Sequence, residues 1–334
     1  MHYYGIDIHK EYSVYTKVNE KGTILEQGKV PNEKKAFQEI IDEAVGETKA
    51  VIEATGNWYY LHDLLSDLVG EVVVAHPLKT KAIASARIKT DKIDATTLAH
   101  LLRTDFIPRS YIAPLAVRQL RELLRYRISL VRMSTRVKNK IHSILIKNGL
   151  RQPYSDLFGK KGRVWLESLR INSVQSMALG GYLHVLDTLA EEIKVVSHEI
   201  DLQAKADPRA AILESIPGIG HYSAMLILSE IGDINRFPTS NHLVSYAGLN
   251  PSVHSSGGIT HYGRIAKQGS SYLRWVMVEV ASIAARHSRR LGDYHVRIAH
   301  KHGRKTANVA LAREILEISY HILKKGVLFK EYAE

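Results

Sequence analysis

The chain has 334 residues, with 46 Lys and Arg against 34 Asp and Glu, so its formal net charge is +12. It is 45% hydrophobic and 24% charged, which excludes a disordered chain, and its length suits two or three domains that each bury a core. Cys is absent, which excludes disulfides, thiolate metal sites and a cysteine nucleophile.

Alternating strands and helices are predicted for the first 110 residues. The strands are predicted at 3–8, 12–18, 23–30, 49–54 and 71–75, and the helices at about 32–45, 58–69 and 91–103. This βββαβαβα order favours an α/β domain with a ribonuclease-H-like (RuvC-like) fold. A doubly wound nucleotide-binding fold would need a Gly-rich turn after the first strand, where this chain has Asp-Ile-His-Lys.

Four acids of this part are candidate catalytic metal ligands. Asp7 lies inside an apolar strand and Glu53 near the end of another, where an unpaired carboxylate is costly. Asp91 and Asp94 are three residues apart on one predicted helix and share a face. In a ribonuclease-H-like fold these four carboxylates converge, and they suit two Mg²⁺ or Mn²⁺ ions about 4 Å apart that clamp a phosphoryl transfer. The alternative is that each acid is a hydrogen-bonded structural group.

Two long helices are predicted in the middle of the chain. Residues 118–147 contain no Pro or Gly and combine an apolar seam with nine Lys or Arg and one acid, and residues 179–205 carry a second apolar seam. The two helices could form an antiparallel hairpin, pair with a second copy of the chain, or pack as ordinary core. The candidate nucleic-acid contacts on the first helix are Arg118, Arg121, Arg125, Arg132, Lys138 and Lys140.

In the last third, helices are predicted from residue 208 to 215, at 240–247, and at about 271–286 and 306–325. The sequence Pro-Gly-Ile-Gly at 217–220 resembles the turn of a helix-hairpin-helix module. Gly in such a turn lets backbone amides approach a phosphate, so Gly218 and Gly220 are candidate nucleic-acid contacts. The alternative is an ordinary tight turn.

A segment rich in Gly and Ser follows at residues 248–271, with Ser255 and Ser256 before two Gly. A serine hydroxyl can attack a phosphodiester when cations stabilise the reacting phosphate and a base takes the proton. The alternative is a plain loop that contacts phosphates through backbone amides. The candidate cations are Arg264, Lys267 and Arg274, and the candidate bases are His254 and His261.

The charge is unevenly distributed along the chain. Residues 1–110 carry 14 basic and 16 acidic side chains, residues 111–206 carry 16 and 8, and residues 207–334 carry 16 and 10. The basic later parts predict a polyanionic partner. We expect three domains, at residues 1–110, 111–206 and 207–330. No apolar run approaches the ~18 residues that cross a bilayer, so we expect a cytoplasmic protein without a membrane partner.

Five motifs, taken in chain order, resemble those of one known family. They are GIDIHK with Asp7, IEATGNW with Glu53, KTDKIDA with Asp91 and Asp94, SIPGIG, and AGLNP followed by SSGG and GRIAKQG. Together they are similar to those of the insertion-sequence-110 family of DEDD transposases, which includes the pilin-gene inverting recombinase. Each motif alone is weakly specific, whereas five in sequence over about residues 3–328 are highly specific.

The resemblance implies a RuvC-like N-terminal domain, a coiled-coil middle and a mainly helical C-terminal transposase domain. It identifies the four acids above with the family's metal-binding residues. The family's nucleophilic serine lies five residues after the Pro of a G-L-x-P motif and just before a Gly, which here gives Ser256 rather than Ser255. It further implies a covalent phosphoserine intermediate, a structured noncoding RNA that bridges donor and target DNA, and a bacterial or archaeal protein that acts as a dimer or tetramer.

Two other functions stay open on the residues alone. One is a RuvC-like, metal-dependent nuclease that hydrolyses DNA junctions and in which Ser256 is structural. The other is an RNA-binding scaffold whose acids are structural. The first predicts cleavage by water without the serine, and the second predicts no metal-dependent activity.

Overall fold

The computed structural model of the chain describes residues 1–41, 45–84, 90–256 and 259–331, and at residues 45, 254–256 and 259–262 it describes the backbone but not the side chains. The chain divides into two compact units, Met1–Ile112 and Ala113–Glu334. In the described ranges, every helix is too short or too polar to cross a bilayer.

The first unit contains five strands and four helices among its described residues. They are β1 (His2–Ile8), β2 (Tyr12–Asn19), β3 (Ile24–Pro31), α1 (Lys34–Ile40), β4 (Thr48–Glu53), α2 (Trp58–Ser66), β5 (Glu71–Ala75), α3 (Pro77–Ile83) and α4 (Asp91–Arg103). The helix predicted at about 32–45 is shorter than expected, because Ile41 leaves the helical region with a ψ of 85°. Helix α3 was not predicted: Pro77, interpreted as a stop, is its first residue, where the missing N–H of Pro costs nothing.

The five strands form one mixed sheet in the order β3-β2-β1-β4-β5. The pairs β1–β2 and β2–β3 are antiparallel, whereas β1–β4 and β4–β5 are parallel. The predicted meander and the two parallel crossover strands are confirmed, and the sheet is consistent with the predicted RuvC-like domain.

Strand β1 is covered on both faces. Tyr4 and Ile6 belong to a core that includes residues of α1 and α2, such as Phe37 and Leu61. The other face of β1 lies against α4, where a Cβ atom on Gly5 would be 2.0 Å from the carbonyl oxygen of Ala95. Only Gly allows this approach of strand and helix. Side chains alternate along a strand, so the residue two positions after Gly5 also faces α4.

The second unit is mainly helical, with nine α-helices and one two-stranded sheet among its described residues. They are α5 (Leu115–Lys147), α6 (Lys160–Ser168), α7 (Ser173–Ala206), α8 (Pro208–Glu214), α9 (His221–Ile231), α10 (Ser240–Ala247), β6 (Pro251–Ser256), β7 (Ile259–Ile265), α11 (Ser271–His287), α12 (Arg289–His302) and α13 (Arg304–Lys325). Helices α6 and α12 were not predicted. Instead of a plain loop, the Gly/Ser-rich segment contains the antiparallel strands β6 and β7.

Helices α5 and α7 form an antiparallel hairpin within one chain. One cluster joins Ile141 near the end of α5 to Leu179 near the start of α7. A second cluster joins Leu124 near the start of α5 to Ile200 near the end of α7. This second cluster also contains Met277 of α11 and other residues of the C-terminal helices, so the base of the hairpin shares their core. The separate domains at 111–206 and 207–330 stay a prediction.

Candidate active site

Two of the four acids lie in the first turn of α4. Thr90 caps this helix, since its side-chain oxygen accepts a hydrogen bond of 3.3 Å from the backbone N–H of Ile93. Asp91 and Asp94 follow within the first turn. The partial positive charge at a helix N-terminus stabilises carboxylates in this position. Both carboxylates therefore lie beside the positive end of the α4 dipole.

The other two acids lie at the carboxyl ends of neighbouring parallel strands. Ile6 of β1 pairs with Ile52 of β4, so the next residues along the two strands, Asp7 and Glu53, are neighbours. Both face α4: Asp7 lies two residues after Gly5, and Glu53 lies two residues after Val51, which shares a core with residues of α4. The sheet therefore places Asp7 and Glu53 on neighbouring strand ends, on the face that α4 covers, whereas the convergence of all four acids stays a prediction.

A tight cluster of possible metal ligands forms there. Asp7, His9 and Asp91 each offer one ligand atom, and these atoms all lie within 4.8 Å of one another. The Nε2 atom of His9 is 3.4 Å from Oδ2 of Asp7 and 3.2 Å from Oδ2 of Asp91. The Asp7 side chain is 20% exposed and that of Asp91 is 51% exposed, so the cluster opens to solvent on the α4 side. Two hard oxygen donors beside an imidazole fit a divalent cation.

The sequence analysis missed His9. Its signal was its position in the GIDIHK motif, two residues after Asp7, at the turn where β1 ends. With 17 His in the chain, that position alone did not single it out. His9 lies in the turn between β1 and β2, and this turn places its imidazole beside Asp7 and Asp91.

Helix α4 is fixed to the sheet by a small hydrogen-bond network. The Thr96 hydroxyl lies 3.1 Å from the Thr16 hydroxyl of β2, and Nε2 of Gln27 in β3 donates to both, at 2.9 Å and 3.0 Å. Because Thr96 is two residues after Asp94, these hydrogen bonds hold the acidic turn of α4 at a defined height above the strands.

Two of the predicted nucleic-acid contacts on α5 have partners inside the protein. Arg121 is 8% exposed, and its guanidinium donates to the backbone carbonyls of Ser229, at 2.6 Å, and Glu230, at 3.1 Å, near the end of α9. Arg125 pairs with the buried carboxylate of Glu230 at 2.7 Å. A guanidinium buried in this way cannot reach an external phosphate, so Arg121 stabilises the packing of α5 on α9.

Some of the other predicted cations are exposed, whereas others contact groups within the protein. Arg132 and Lys140 are exposed along α5, whereas Lys138 lies 5.1 Å from the centre of the Phe158 ring. Arg274 donates to the carbonyl of Ala247 at the end of α10, at 2.9 Å. The exposed pair Arg264 and Lys267 line a cavity of about 560 Å³ together with Leu249, Pro251, Gly263, Ile265, Lys305, Thr306, Val309, Ala310 and Arg313.

In the turn at 217–220 the backbone requires glycine at position 218 but not at position 220. Gly218 has a φ of +94°, and a Cβ there would be 3.0 Å from the backbone nitrogen of Ala284 in α11. Gly220 is exposed, and its N–H donates to the Ser223 hydroxyl at 3.0 Å. Their contact with phosphates stays a prediction.

Ser256 is the last residue of β6, and its backbone is paired with Ile259 of β7. The side chains of Ser255, Ser256, His254 and His261 lie outside the described part of the chain, as do the two glycines at 257 and 258. Arg118, near the start of α5, is half-buried. The nucleophile and its base therefore stay predictions from the sequence.

Two family profiles match separate parts of the chain. Residues 4–147 match the family profile DEDD_Tnp_IS110, described as a transposase, and residues 210–296 match the Transposase IS116/IS110/IS902 family. The chain is 24% identical over 340 residues to the transposase for insertion sequence element IS1111A of Coxiella burnetii, covering 98% of this chain and 90% of that protein. It is 28% identical over 285 residues to the pilin gene-inverting protein of Moraxella bovis, covering 83% and 80%. A third similarity, 25% over 229 residues to the protein y4qE of Sinorhizobium fredii, covers 69% of this chain and 56% of that protein.

Proposed function

Because the chain belongs to the IS110 family of transposases, enzymes of DNA recombination, we propose that it cuts and joins DNA for an insertion sequence. The observation that carries the proposal is the approach of Asp7 of β1 and Asp91 of α4 at the end of the sheet where Glu53 ends the neighbouring strand β4. We assign Asp7, Glu53, Asp91 and Asp94 as the residues that hold Mg²⁺ or Mn²⁺.

These four acids provide oxygen ligands from three different elements of one unit. Asp7 and Glu53 are fixed by the sheet, and Asp91 and Asp94 by the start of α4. A divalent cation held there would withdraw negative charge from a scissile phosphate and favour attack on it. The carboxylates themselves repel DNA phosphates, and the near-neutral composition of residues 1–110 supplies no excess of positive charge to offset this repulsion. The cation would offset it.

Ser256 is the proposed nucleophile. In the first step its Oγ forms a bond to the phosphorus of the scissile phosphodiester, and the bond from phosphorus to the 3′ oxygen of the DNA breaks. The hydroxyl proton passes through a base, for which His254 and His261 are candidates, to the departing 3′ oxygen. In the second step the 3′-hydroxyl of the exchanged strand attacks the same phosphorus, and Ser256 leaves and regains its proton. The number of phosphodiester bonds is conserved, so no nucleotide cofactor is needed.

A structured noncoding RNA is the proposed guide, and several copies of the chain are proposed to assemble on the nucleic acids. The support is the basic composition of residues 111–334, which carry 32 basic and 18 acidic side chains, and the exposed cations along α5. Contacts to phosphates supply affinity without sequence information. Base pairing with an RNA would supply the choice of target.

The covalent adduct is the decisive test of the serine. The full chain is incubated with Mg²⁺, the guide RNA and labelled DNA that carries the element's ends, and adducts are resolved under denaturing conditions. We expect a protein–DNA adduct with the wild type and with Ser255→Ala, the matched control, and none with Ser256→Ala. Cleavage by water that persists in Ser256→Ala would favour the junction nuclease instead.

A second experiment tests the acids and the RNA. Recombination between two plasmids is measured with and without RNA transcribed from the flank of the element. We expect exchange only with the RNA, and none with Asp7→Asn. Equal exchange without the RNA would refute guidance, and unchanged exchange in Asp7→Asn would refute the role of the acids.

A further inference from the structure

The imidazole of His9 lies between an acid of the sheet and an acid of helix α4. We propose that His9 is a nitrogen ligand of the metal centre, so that the site holds one nitrogen besides its carboxylate oxygens and binds Mn²⁺ in preference to Mg²⁺. This inference rests on the proposed function in one respect, which is that a divalent cation binds at these acids.

The Nε2 atom of His9 is buried and has no hydrogen-bond partner among the described residues, although the side chain as a whole is 34% exposed. It nevertheless lies within 3.4 Å of carboxylate oxygens of both Asp7 and Asp91. A buried polar atom without a hydrogen bond costs free energy that a ligand would recover. The orientation of the ring therefore directs Nε2 to the space between the two acids rather than to solvent.

The spacing of the three ligand atoms suits one cation. Neighbouring ligands of an octahedral ion with bonds of about 2.1 Å are about 3.0 Å apart. The separations from His9 to Asp7 and Asp91 are 3.4 Å and 3.2 Å. Small rotations of the carboxylates would bring all three atoms to bonding distance, without movement of the backbone.

The position of the imidazole is fixed by contacts on its other sides. The ring stacks on that of Tyr12, with centroids 4.7 Å apart and an angle of 25° between planes. On Tyr12 lies Lys29, whose Nζ is 3.3 Å from the ring centroid. This stack restricts rotation of the imidazole, so Nε2 is oriented before a cation binds.

The backbone of His9 is held as firmly as the ring. Its N–H donates to the carbonyl of Tyr12 at 2.9 Å, and its carbonyl accepts from the side-chain amides of Asn32 at 2.9 Å and Asn57 at 3.3 Å. Asn57 lies four residues after Glu53, so this hydrogen bond joins the end of β4 to the turn that carries His9. Asn57 is therefore a positioning residue for the proposed nitrogen ligand.

A nitrogen ligand changes which metal the site prefers. Mg²⁺ is bound through oxygen atoms and keeps several waters. Transition ions gain more from an imidazole, and Mn²⁺ is the first-row ion that also accepts carboxylate-rich sites. Without His9 the site would offer oxygen only and would discriminate less between Mn²⁺ and Mg²⁺.

The test is electron spin echo envelope modulation on the full chain loaded with Mn²⁺. We expect modulation from a directly coordinated nitrogen in the wild type, and its change to the pattern of ¹⁵N when the protein is labelled with ¹⁵N-histidine. The modulation should be lost in His9→Gln and kept in His100→Gln, the matched control at the other end of α4. The labelled wild type shows a histidine ligand even if a variant fails to fold, and among the described side chains His9 is the histidine of the cluster.

Binding measurements complete the test. We expect the Mn²⁺ affinity of His9→Gln to fall about tenfold in calorimetric titrations, and its Mg²⁺ affinity to fall less. Mn²⁺ bound to the wild type without nitrogen modulation overturns the role of His9 and leaves the acids intact. Absence of Mn²⁺ binding to the wild type, or binding unchanged in Asp7→Asn, overturns the metal site itself and the inference with it.

Discussion

Gly5 and Ala95 are in backbone contact: a Cβ on Gly5 would lie 2.0 Å from the carbonyl oxygen of Ala95 and 2.4 Å from the nitrogen of Ala99. Asp7 lies two residues after Gly5, and Asp91 lies four residues before Ala95. The distance between strand β1 and helix α4 is therefore set by a residue without a side chain, and this distance sets how closely the acids approach.

Replacing Gly5 with Ala tests that relationship. The clash is with main-chain atoms, which cannot rotate away, so we expect a loss of about 1–3 kcal/mol in the free energy of unfolding and weaker Mn²⁺ binding. Denaturant unfolding and calorimetric titration measure the two effects. Gly46→Ala is the control, because a Cβ there has no atom within 4 Å. Normal metal binding by Gly5→Ala would show that the contact does not position the acids.

Arg121 should matter for stability rather than for nucleic-acid binding. Its guanidinium makes two buried hydrogen bonds to carbonyls near the end of α9. Hydrogen bonds that involve a charged group contribute about 1.5–3 kcal/mol each, so we expect Arg121→Met, which loses two of them, to lower the free energy of unfolding by roughly 3–6 kcal/mol. Urea unfolding measures this change. An unchanged midpoint would contradict the structural role.

The double variant Arg132→Gln with Lys140→Gln should affect nucleic-acid binding rather than stability, since both side chains are exposed on α5. Each lost phosphate contact lowers the slope of log K against log salt by about 0.7–0.9, so we expect weaker RNA binding, a slope reduced by roughly 1.5, and unchanged stability. Binding isotherms over a range of salt concentrations provide the measurement. An unchanged slope would place the nucleic acid elsewhere on the chain.

The ion pair between Arg125, whose side chain is 41% exposed, and the buried Glu230 should show coupling. The Glu230 side chain is 2% exposed, and it also accepts a hydrogen bond of 2.9 Å from Ser270, the N-cap of α11. Arg125→Leu alone leaves a buried carboxylate without its cation, at a cost of about 3–5 kcal/mol, whereas the double variant with Glu230→Leu should recover much of the loss. Chemical unfolding of the four proteins of the cycle measures the coupling. Additive losses would disprove it.

Asp207 should contribute stability that depends on pH. It caps α8, and its carboxylate accepts a hydrogen bond of 2.6 Å from Arg209. That hydrogen bond lowers the pKa of Asp207 below its ordinary value. A carboxyl group with a lowered pKa stabilises the fold above its ordinary pKa of about 4, and this contribution disappears as the pH falls through the lowered value.

The variant Asp207→Asn separates the charge from the cap, because Asn caps helices equally well. We expect it to be less stable than the wild type at pH 7 by roughly 1 kcal/mol, since Arg209 is largely exposed. The difference should shrink below about pH 4. Thermal unfolding across that range measures it, with the exposed Glu191→Gln as control. A difference independent of pH would exclude the ion pair as its source.

Local patterns were sufficient for most elements of the fold. Short apolar and β-branched runs predicted β1, β2 and β3, and helical periodicity predicted α5 and α7, because these signals depend on residues close together in the chain. Helices α3, α6 and α12 were missed. Pro77 at the start of α3 was interpreted as a stop, and α12 is rich in polar residues with only Leu291 buried, so it contains few of the apolar positions that mark a helix.

The candidate site likewise contains residues that could be predicted from the sequence and residues that could not. Its four acids could be predicted because carboxylates in apolar strands and in one helical turn are unusual. His9 could not, because its proximity to Asp91 depends on a turn and on the docking of α4. Nor could the partners of Arg121 be predicted, because the carbonyl of Ser229 is 108 residues away in the chain.

The sequence by itself determined the strand order, the two long helices and the charge asymmetry, and it singled out the four acids as candidates, because these depend on residue type and local period. The tertiary structure decided which side chains meet: the imidazole between two carboxylates, the guanidinium of Arg121 inside the helical unit, and the glycine that lets α4 approach β1. The physical reason is that side-chain environment is set by contacts between segments distant in the chain, which no local pattern records.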